Sequence, residues 1–113
     1  MTRAFSHVTA DFRGVAQPSL RDASLVSGLL IAAAGAAGFA PLGAPVVRQL
    51  PSGGVAAVLV LDGCHIAVHT FPERDLLLLD VLAPATHTLR TAVEVFVRRL
   101  APHDVRTETR ERG

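Results

Sequence analysis

The stretch VAAVLVL-DG-CHIAVHTF-PERD-LLLLDVL, residues 55–82, consists of three strand-length runs separated by two short turns. Its first turn, Asp62-Gly63, is a dipeptide that two-residue hairpin loops favour. Strand alternation divides the second run into two faces: Cys64, Ile66 and Val68 on one, and His65, Ala67, His69 and Phe71 on the other. The stretch therefore predicts three consecutive antiparallel strands, with two histidines on one face of the middle strand.

The flanking sequence predicts three more strands. Phe5–Phe12 alternates, with His7 and Asp11 on one side and apolar residues on the other. Val46–Leu50 is a short strand before a glycine-rich turn, and Val105–Arg110 is a last, exposed strand.

The first predicted helix follows the first strand. Ser19 or Asp22 caps it, and it extends to about Ala37, where Gly38 ends it. The apolar part of this region, Leu25–Ala40, is short for a membrane span and is interrupted by glycines. We therefore predict a buried helix and no membrane contact.

The second predicted helix lies near the end of the chain. Pro84 opens it and Pro102 stops it. Its apolar positions keep helical spacing: Leu89, Val93, Phe96, Val97 and Leu100.

The order of these elements predicts the fold. Two helices among six strands are typical of an α+β two-layer sandwich, in which both helices lie on one face of a mainly antiparallel sheet. A length of 113 residues suits one domain, so we assign residues 1–113 to a single unit. We expect a second copy to cover the uncovered sheet face, which predicts a homodimer or higher oligomer.

The composition excludes several functions. Half of the residues are hydrophobic and 19% are charged, as in a folded globular domain. The net charge is +1 without a basic block, so we expect no nucleic-acid partner. All 11 basic residues are arginines, and a chain without lysine cannot bind pyridoxal phosphate (PLP) covalently. The lone cysteine, Cys64, excludes an intrachain disulfide and favours a cytoplasmic location.

Spacing alone leaves three interpretations of Cys64, His65 and His69. In the first, both histidines are partly buried and bonded to backbone carbonyls, while the cysteine packs as a small apolar side chain. The second is a metal site, but alternation sends Cys64 and His65 to opposite faces, so we predict no metal. The third is a cysteine hydrolase in which His69 and Asp80 complete a triad, which no spacing supports.

The segment His65-Ile66-x-Val68-His69-Thr70-Phe71-Pro72-Glu73 resembles the signature strand of the prokaryotic S-adenosylmethionine decarboxylases, which reads roughly E-S-H-I-S-I-H-T-W-P-E. The resemblance covers essentially the whole chain. Features in the family's order are His7, the long helix, the glycine-rich turn, Asp80-Val81-Leu82 and the closing Glu-Arg-Gly. The central motif is quite specific, and the rest agrees in pattern.

The resemblance implies an enzyme that makes a pyruvoyl cofactor from its own backbone. In the family a serine attacks the preceding carbonyl, the chain splits, and the serine's remnant becomes an N-terminal pyruvoyl group. That group is the electron sink for decarboxylation. Here Cys64 occupies the serine's position, which predicts a pyruvoyl group derived from Cys64 and processing at Gly63–Cys64 into 1–63 and 64–113.

The resemblance also assigns the other site residues. His69 matches the histidine that takes part in processing, and Glu73 matches the glutamate that binds the substrate's ribose hydroxyls. Phe71 replaces a tryptophan and can still pack on an aromatic ring. His65 is a further candidate for catalysis, and His7 for substrate binding. The implied substrate is S-adenosylmethionine or a related small amine, and the implied pathway is polyamine synthesis.

Four positions depart from the family's pattern. Cys64 and Gly63 replace the serine and the glutamate at the processing site. Ala56 replaces a serine that aids maturation, and Pro84 replaces a cysteine that donates a proton. A thiol can make the serine's attack, and glycine leaves the carbonyl unhindered. Plain hydrolysis of the resulting thioester is the competing fate.

Three functions remain open from the sequence. The first is a decarboxylase matured through Cys64, with His65, His87 or a water replacing the lost proton donor. The second is a catalytically inactive homologue that binds a nucleoside ligand or regulates an active partner subunit. The third is an unrelated small α/β binding domain. Cleavage of the Gly63–Cys64 bond distinguishes the first from the other two.

Overall fold

A computed structural model describes residues 4–113, which form one six-stranded antiparallel sheet with helices on one face. The strands in chain order are β1 Phe5–Arg13, β2 Val46–Gln49, β3 Val55–Leu61, β4 Cys64–Phe71, β5 Leu76–Pro84 and β6 Asp104–Arg112. Their order across the sheet is β2-β3-β4-β5-β1-β6. The three runs of residues 55–82 are thus neighbouring strands, as their sequence predicts.

Three helices form the second layer: the single-turn α1 Gln17–Leu20, then α2 Ala23–Ala36, and α3 Arg90–Leu100. Asp22 caps α2, because its carboxylate accepts a hydrogen bond from the Leu25 N–H at 3.0 Å. Both long helices are confirmed as elements, and α1 is an additional turn before the first of them.

The prediction that Pro84 opens the last helix is wrong. β5 continues to Pro84, which is opposite Phe5 at the end of the ladder with β1. Ala83 is fully buried, so the strand gains apolar burial by extending this far. A turn follows, in which the His87 N–H donates a hydrogen bond to the Pro84 carbonyl at 3.1 Å. The helix α3 begins only at Arg90.

The sheet has one face in the core and one open face. In the core, Phe12 and Phe96 meet edge to face with ring centroids 6.1 Å apart. The alternation predicted for β1 and β4 is confirmed by their alternating burial. On the open face, large apolar side chains keep much of their surface exposed: Phe5 37%, Val46 51% and Val60 50%.

Thr70 is the one polar side chain that is buried within residues 4–113. Its hydroxyl donates to the Leu20 carbonyl at 2.6 Å and accepts from the Val55 N–H at 2.8 Å. One side chain therefore satisfies the end of α1 and the start of β3, two backbone groups that burial would otherwise leave unpaired.

In residues 4–113, no helix has both the length and the apolar character needed to cross a lipid bilayer.

Candidate active site

The predicted processing junction lies in the turn between β3 and β4. Leu61 is opposite Cys64, so Asp62 and Gly63 form a two-residue loop. Gly63 has a φ of 73°, and a side chain at this position would meet no other atom within 4 Å. The turn thus favours glycine for its backbone conformation, and Gly63 is exposed.

Cys64 is buried, with 7% of the residue's surface exposed. Its burial raises the pKa of the Cys64 thiol above the ordinary value, and the negative charge of Asp62 raises it further. At neutral pH the sulfur therefore carries its proton, and attack on the Gly63 carbonyl requires a base. A glycine followed by a nucleophilic residue in a turn is an arrangement that fits a pyruvoyl precursor. The surroundings of Cys64, however, do not promote ionisation of its thiol.

His69, the predicted processing base, stands far from this junction within one chain. It follows Cys64 on the same strand at roughly 16 Å, for a rise of about 3.3 Å per residue. His69 is exposed on the open face opposite Ala56, and its side chain makes no hydrogen bond with residues 4–113. A serine at position 56, as in the resembled family, would stand beside His69.

The predicted substrate-binding residues lie near His69. Phe71 is half-buried at the end of β4, roughly 23 Å from Cys64 at the same rise per residue. Glu73 is exposed in the 3₁₀ turn Pro72–Arg74 that follows. A single chain therefore holds the candidate site in two halves, at opposite ends of β4.

Asp80 connects two of the predicted histidines, a role that the sequence analysis missed. Its Oδ1 lies 2.8 Å from His7 Nε2 and 3.2 Å from His65 Nε2, on the open face. The interpretation that His65 and His69 bond to backbone carbonyls is therefore wrong. The triad of His69 with Asp80 is also wrong, because Asp80 is opposite Ala67 and bonds the other two histidines. Alternation was the available signal, but it does not give the register between strands.

Within the described part of the chain, residues 4–113, no three histidine, cysteine, aspartate or glutamate side chains are placed so that they could hold a metal ion.

A cavity of about 210 Å³ lies beside the processing junction. Its lining residues are Gly38, Phe39, Ala40, Leu61, Asp62, Cys64, Pro84 and His87. Pro84, which the resemblance places at the position of a proton-donating cysteine, lines the same cavity as Cys64. The His87 ring stacks on Phe39 with centroids 4.4 Å apart. The sequence indicates His87 only as one substitute acid, and no sequence pattern indicates Phe39.

The fold and the site define a class: two-layer α+β proteins with one uncovered sheet face and an exposed hairpin that sets a nucleophilic side chain next to a peptide carbonyl. A family model described as S-adenosylmethionine decarboxylase matches residues 6–113. The chain belongs to this family, and the resemblance seen in the β4 motif is confirmed.

Individual relatives agree with the family. The S-adenosylmethionine decarboxylase proenzyme of Symbiobacterium thermophilum is 35% identical over 74 residues, which are 66% of this chain and 55% of that protein. The match thus spans little more than half of that relative's length. The proenzyme of Brevibacillus brevis is 31% identical over 108 residues, 95% of this chain and 80% of its own.

A solved structure supports the fold. The crystal structure of the adenosylmethionine decarboxylase from Aquifex aeolicus superposes with a TM-score of 0.90 at 24% identity. The superposition covers 100% of this chain and 93% of that one. The predicted α+β sandwich is confirmed.

Proposed function

We propose that this chain is a proenzyme that cuts itself between Gly63 and Cys64. It then decarboxylates S-adenosylmethionine, in polyamine synthesis, with a pyruvoyl group formed from Cys64. The observation that carries the proposal is the β3–β4 turn, in which the exposed Gly63 directly precedes the nucleophilic side chain of Cys64. The description of the relatives as proenzymes supports self-processing.

Self-cleavage follows from the chemistry of these two residues. The Cys64 Sγ attacks the Gly63 carbonyl carbon and displaces the amide nitrogen, so a thioester replaces the peptide bond. A base then removes the Cα proton of residue 64, and the carbon–sulfur bond breaks. The sulfur leaves on Gly63 as a thiocarboxylate, and residue 64 becomes dehydroalanine. Its reaction with water releases ammonia and leaves the pyruvoyl group.

The base comes from a second copy of the chain in this proposal. His69 is roughly 16 Å along β4 from its own Cys64, but it is exposed on the open face. Two open faces that pair with opposed strand directions bring His69 of one chain toward the hairpin of the other. The exposed Phe5, Val46 and Val60 favour this burial, whereas the charged edge strand β6 opposes edge-to-edge pairing.

The same pairing completes the substrate site of the proposed homodimer. Glu73 offers carboxylate oxygens that accept hydrogen bonds from ribose hydroxyls, and Phe71 offers a ring that packs on the base. The pyruvoyl carbonyl supplies the electron sink for the loss of carbon dioxide. His7 and His65, which Asp80 holds on the same face, stay candidates for substrate binding and catalysis. A reducing cytoplasm keeps Cys64 in the thiol form that maturation needs.

The test is the intact mass of the purified full chain under denaturing conditions, before and after reaction with hydroxylamine. We expect two fragments, with residues 64–113 lacking the amine and the sulfur and gaining the mass of one hydroxylamine adduct. The sulfur is expected on the Gly63 fragment. The mature protein should release carbon dioxide from S-adenosylmethionine.

A Cys64→Ala chain is the control and stays whole. A wild-type chain that stays whole and does not react with hydroxylamine would refute the proposal. So would a split chain that keeps both amine and sulfur on Cys64, because that product comes from plain hydrolysis of the thioester.

A further inference from the structure

His87 is the remaining proton-carrying side chain at the cavity beside the junction. The ionisable residues that line this cavity are Asp62, Cys64 and His87. Maturation consumes Cys64, and Pro84 has no proton to give. An ionised aspartate only accepts hydrogen bonds, whereas a histidine exchanges protons near neutral pH. We infer that His87 donates the proton that replaces carbon dioxide on the substrate carbon; this inference rests on the proposed function.

The C-terminal end of α2 positions Phe39, the cavity residue on which the His87 ring stacks. Gly38, with a φ of 83°, donates its N–H to the Gly35 carbonyl at 3.1 Å, and the Phe39 N–H reaches the Ala34 carbonyl at 2.8 Å. These two bonds form a Schellman motif, which sets the position of Phe39 relative to the helix. The His87 ring stacks on Phe39 with an angle of 27° between the ring planes.

The other contacts of His87 leave one ring nitrogen available. Its backbone N–H donates to the Pro84 carbonyl at 3.1 Å, which closes the turn after β5. Its Nδ1 lies 3.4 Å from the Thr86 hydroxyl, and Nε2 makes no hydrogen bond with residues 4–113. Nε2 is therefore the atom that we assign to proton transfer.

The size of the cavity matches the reacting end of the substrate. Its volume of about 210 Å³ is below the roughly 300–1,000 Å³ typical of pockets that enclose a whole ligand. It can therefore hold the amino-acid end of the substrate while the nucleoside extends toward the second chain. This division places His87 beside the carbon that loses carbon dioxide.

The site of protonation decides the fate of the cofactor. After the loss of carbon dioxide, the electron pair is shared between the substrate carbon and the chain's carbonyl carbon. A proton on the substrate carbon lets water release the amine product and restore the carbonyl. A proton on the chain carbon lets water release an aldehyde instead, and the substrate nitrogen stays as an alanine amine at position 64. The chain carbon is then reduced and the substrate carbon oxidised.

The experiment incubates the mature full-length protein with excess S-adenosylmethionine and measures the fraction of fragment 64–113 that ends in an amine and no longer reacts with hydroxylamine. For His87→Gln we expect that fraction per turnover to rise about a hundredfold, the lower end of what a positioned acid contributes. His103→Gln, at an exposed histidine outside this cavity, is expected to match the wild type.

Adding Pro84→Cys to the His87→Gln chain places a thiol donor at the same cavity. We expect it to bring the fraction back toward the wild-type value, which a merely structural role of His87 would not do. If thermal unfolding shows that the His87→Gln chain is not folded, Phe39→Leu serves instead, because it removes the stacking partner and keeps the histidine. We expect a smaller rise for that variant.

If the amine-ended fraction in His87→Gln equals that of the wild type, the inference is overturned while the proposed function stands. The same holds for Phe39→Leu where that variant is used. A folded His87→Gln chain that no longer cuts itself would also overturn it, because His87 would then belong to maturation. A wild-type chain that is never cut would instead refute the proposed function, and the inference with it.

Discussion

At the scale of single residues, the buried thiol of Cys64 follows directly after the exposed Gly63. Burial raises the pKa of the Cys64 thiol and keeps the sulfur protonated at neutral pH, whereas Gly63 has no side chain and is exposed. If Cys64 stands where the resemblance places a serine, the thiol is a better nucleophile in surroundings that do not ionise it. Maturation should then depend on both the atom at the attacking position and the pH.

The identity of the attacking atom is visible in the products. A Cys64→Ser chain should still be cut, more slowly by on the order of tenfold, because a hydroxyl is a weaker nucleophile than a thiol. Its first fragment should end in an ordinary carboxylate rather than a thiocarboxylate. Intact-mass measurement over time after cell-free synthesis gives both quantities. Equal rates in the two chains would show that attack by residue 64 does not limit maturation.

The pH dependence of maturation follows from the raised pKa of Cys64. A raised pKa means that the thiolate is scarce at neutral pH and grows as the pH rises toward that pKa. Cleavage of freshly synthesised chain should therefore accelerate between pH 7 and 9, by roughly tenfold per pH unit. The Cys64→Ser chain is the control, since a serine hydroxyl does not ionise in this range. A flat profile for the wild type would contradict the thiolate mechanism.

At the scale of elements, local patterns predicted the central hairpin and its neighbours. Alternation, the Asp62-Gly63 turn and the 3.6-residue spacing of α3 act within a few residues, so they can be seen in the sequence. The end of β5 could not be predicted, because Pro84 is compatible with both a helix start and a strand end. Tertiary burial of Ala83 selects the strand.

The buried hydroxyl of Thr70 is a testable link between elements. Thr70→Val keeps the shape but leaves the Val55 N–H and the Leu20 carbonyl without this partner. We expect the free energy of unfolding to fall by about 2 kcal/mol, within the usual cost of unpaired buried groups. Urea unfolding in the Cys64→Ala background measures it on an uncut chain. Thr107→Val, at an exposed position on β6, should change stability by less than about 0.5 kcal/mol; an equal effect at both sites would contradict the role of Thr70.

At the scale of the whole molecule, the candidate site residues are distributed along β4. The family motif predicted its members, but a linear motif does not state that His69 and Glu73 lie at the opposite end of the strand from Cys64. The sheet register makes that separation plain, and it also assembles His7, His65 and Asp80 from three strands. In the function proposed above, a second chain on the open face unites the two halves.

Co-expression of Cys64→Ala and His69→Ala chains, distinguished by mass, tests this account most directly. Neither chain alone should gain the hydroxylamine-reactive end. In the mixed dimer, the His69→Ala chain supplies Cys64 and the Cys64→Ala chain supplies His69, so one complete site forms. We predict that the His69→Ala chain alone is cut at Gly63–Cys64 and gains the hydroxylamine-reactive end. If both chains stay whole while the wild type is cut, or if His69→Ala gains the hydroxylamine-reactive end without a partner, the shared site does not exist.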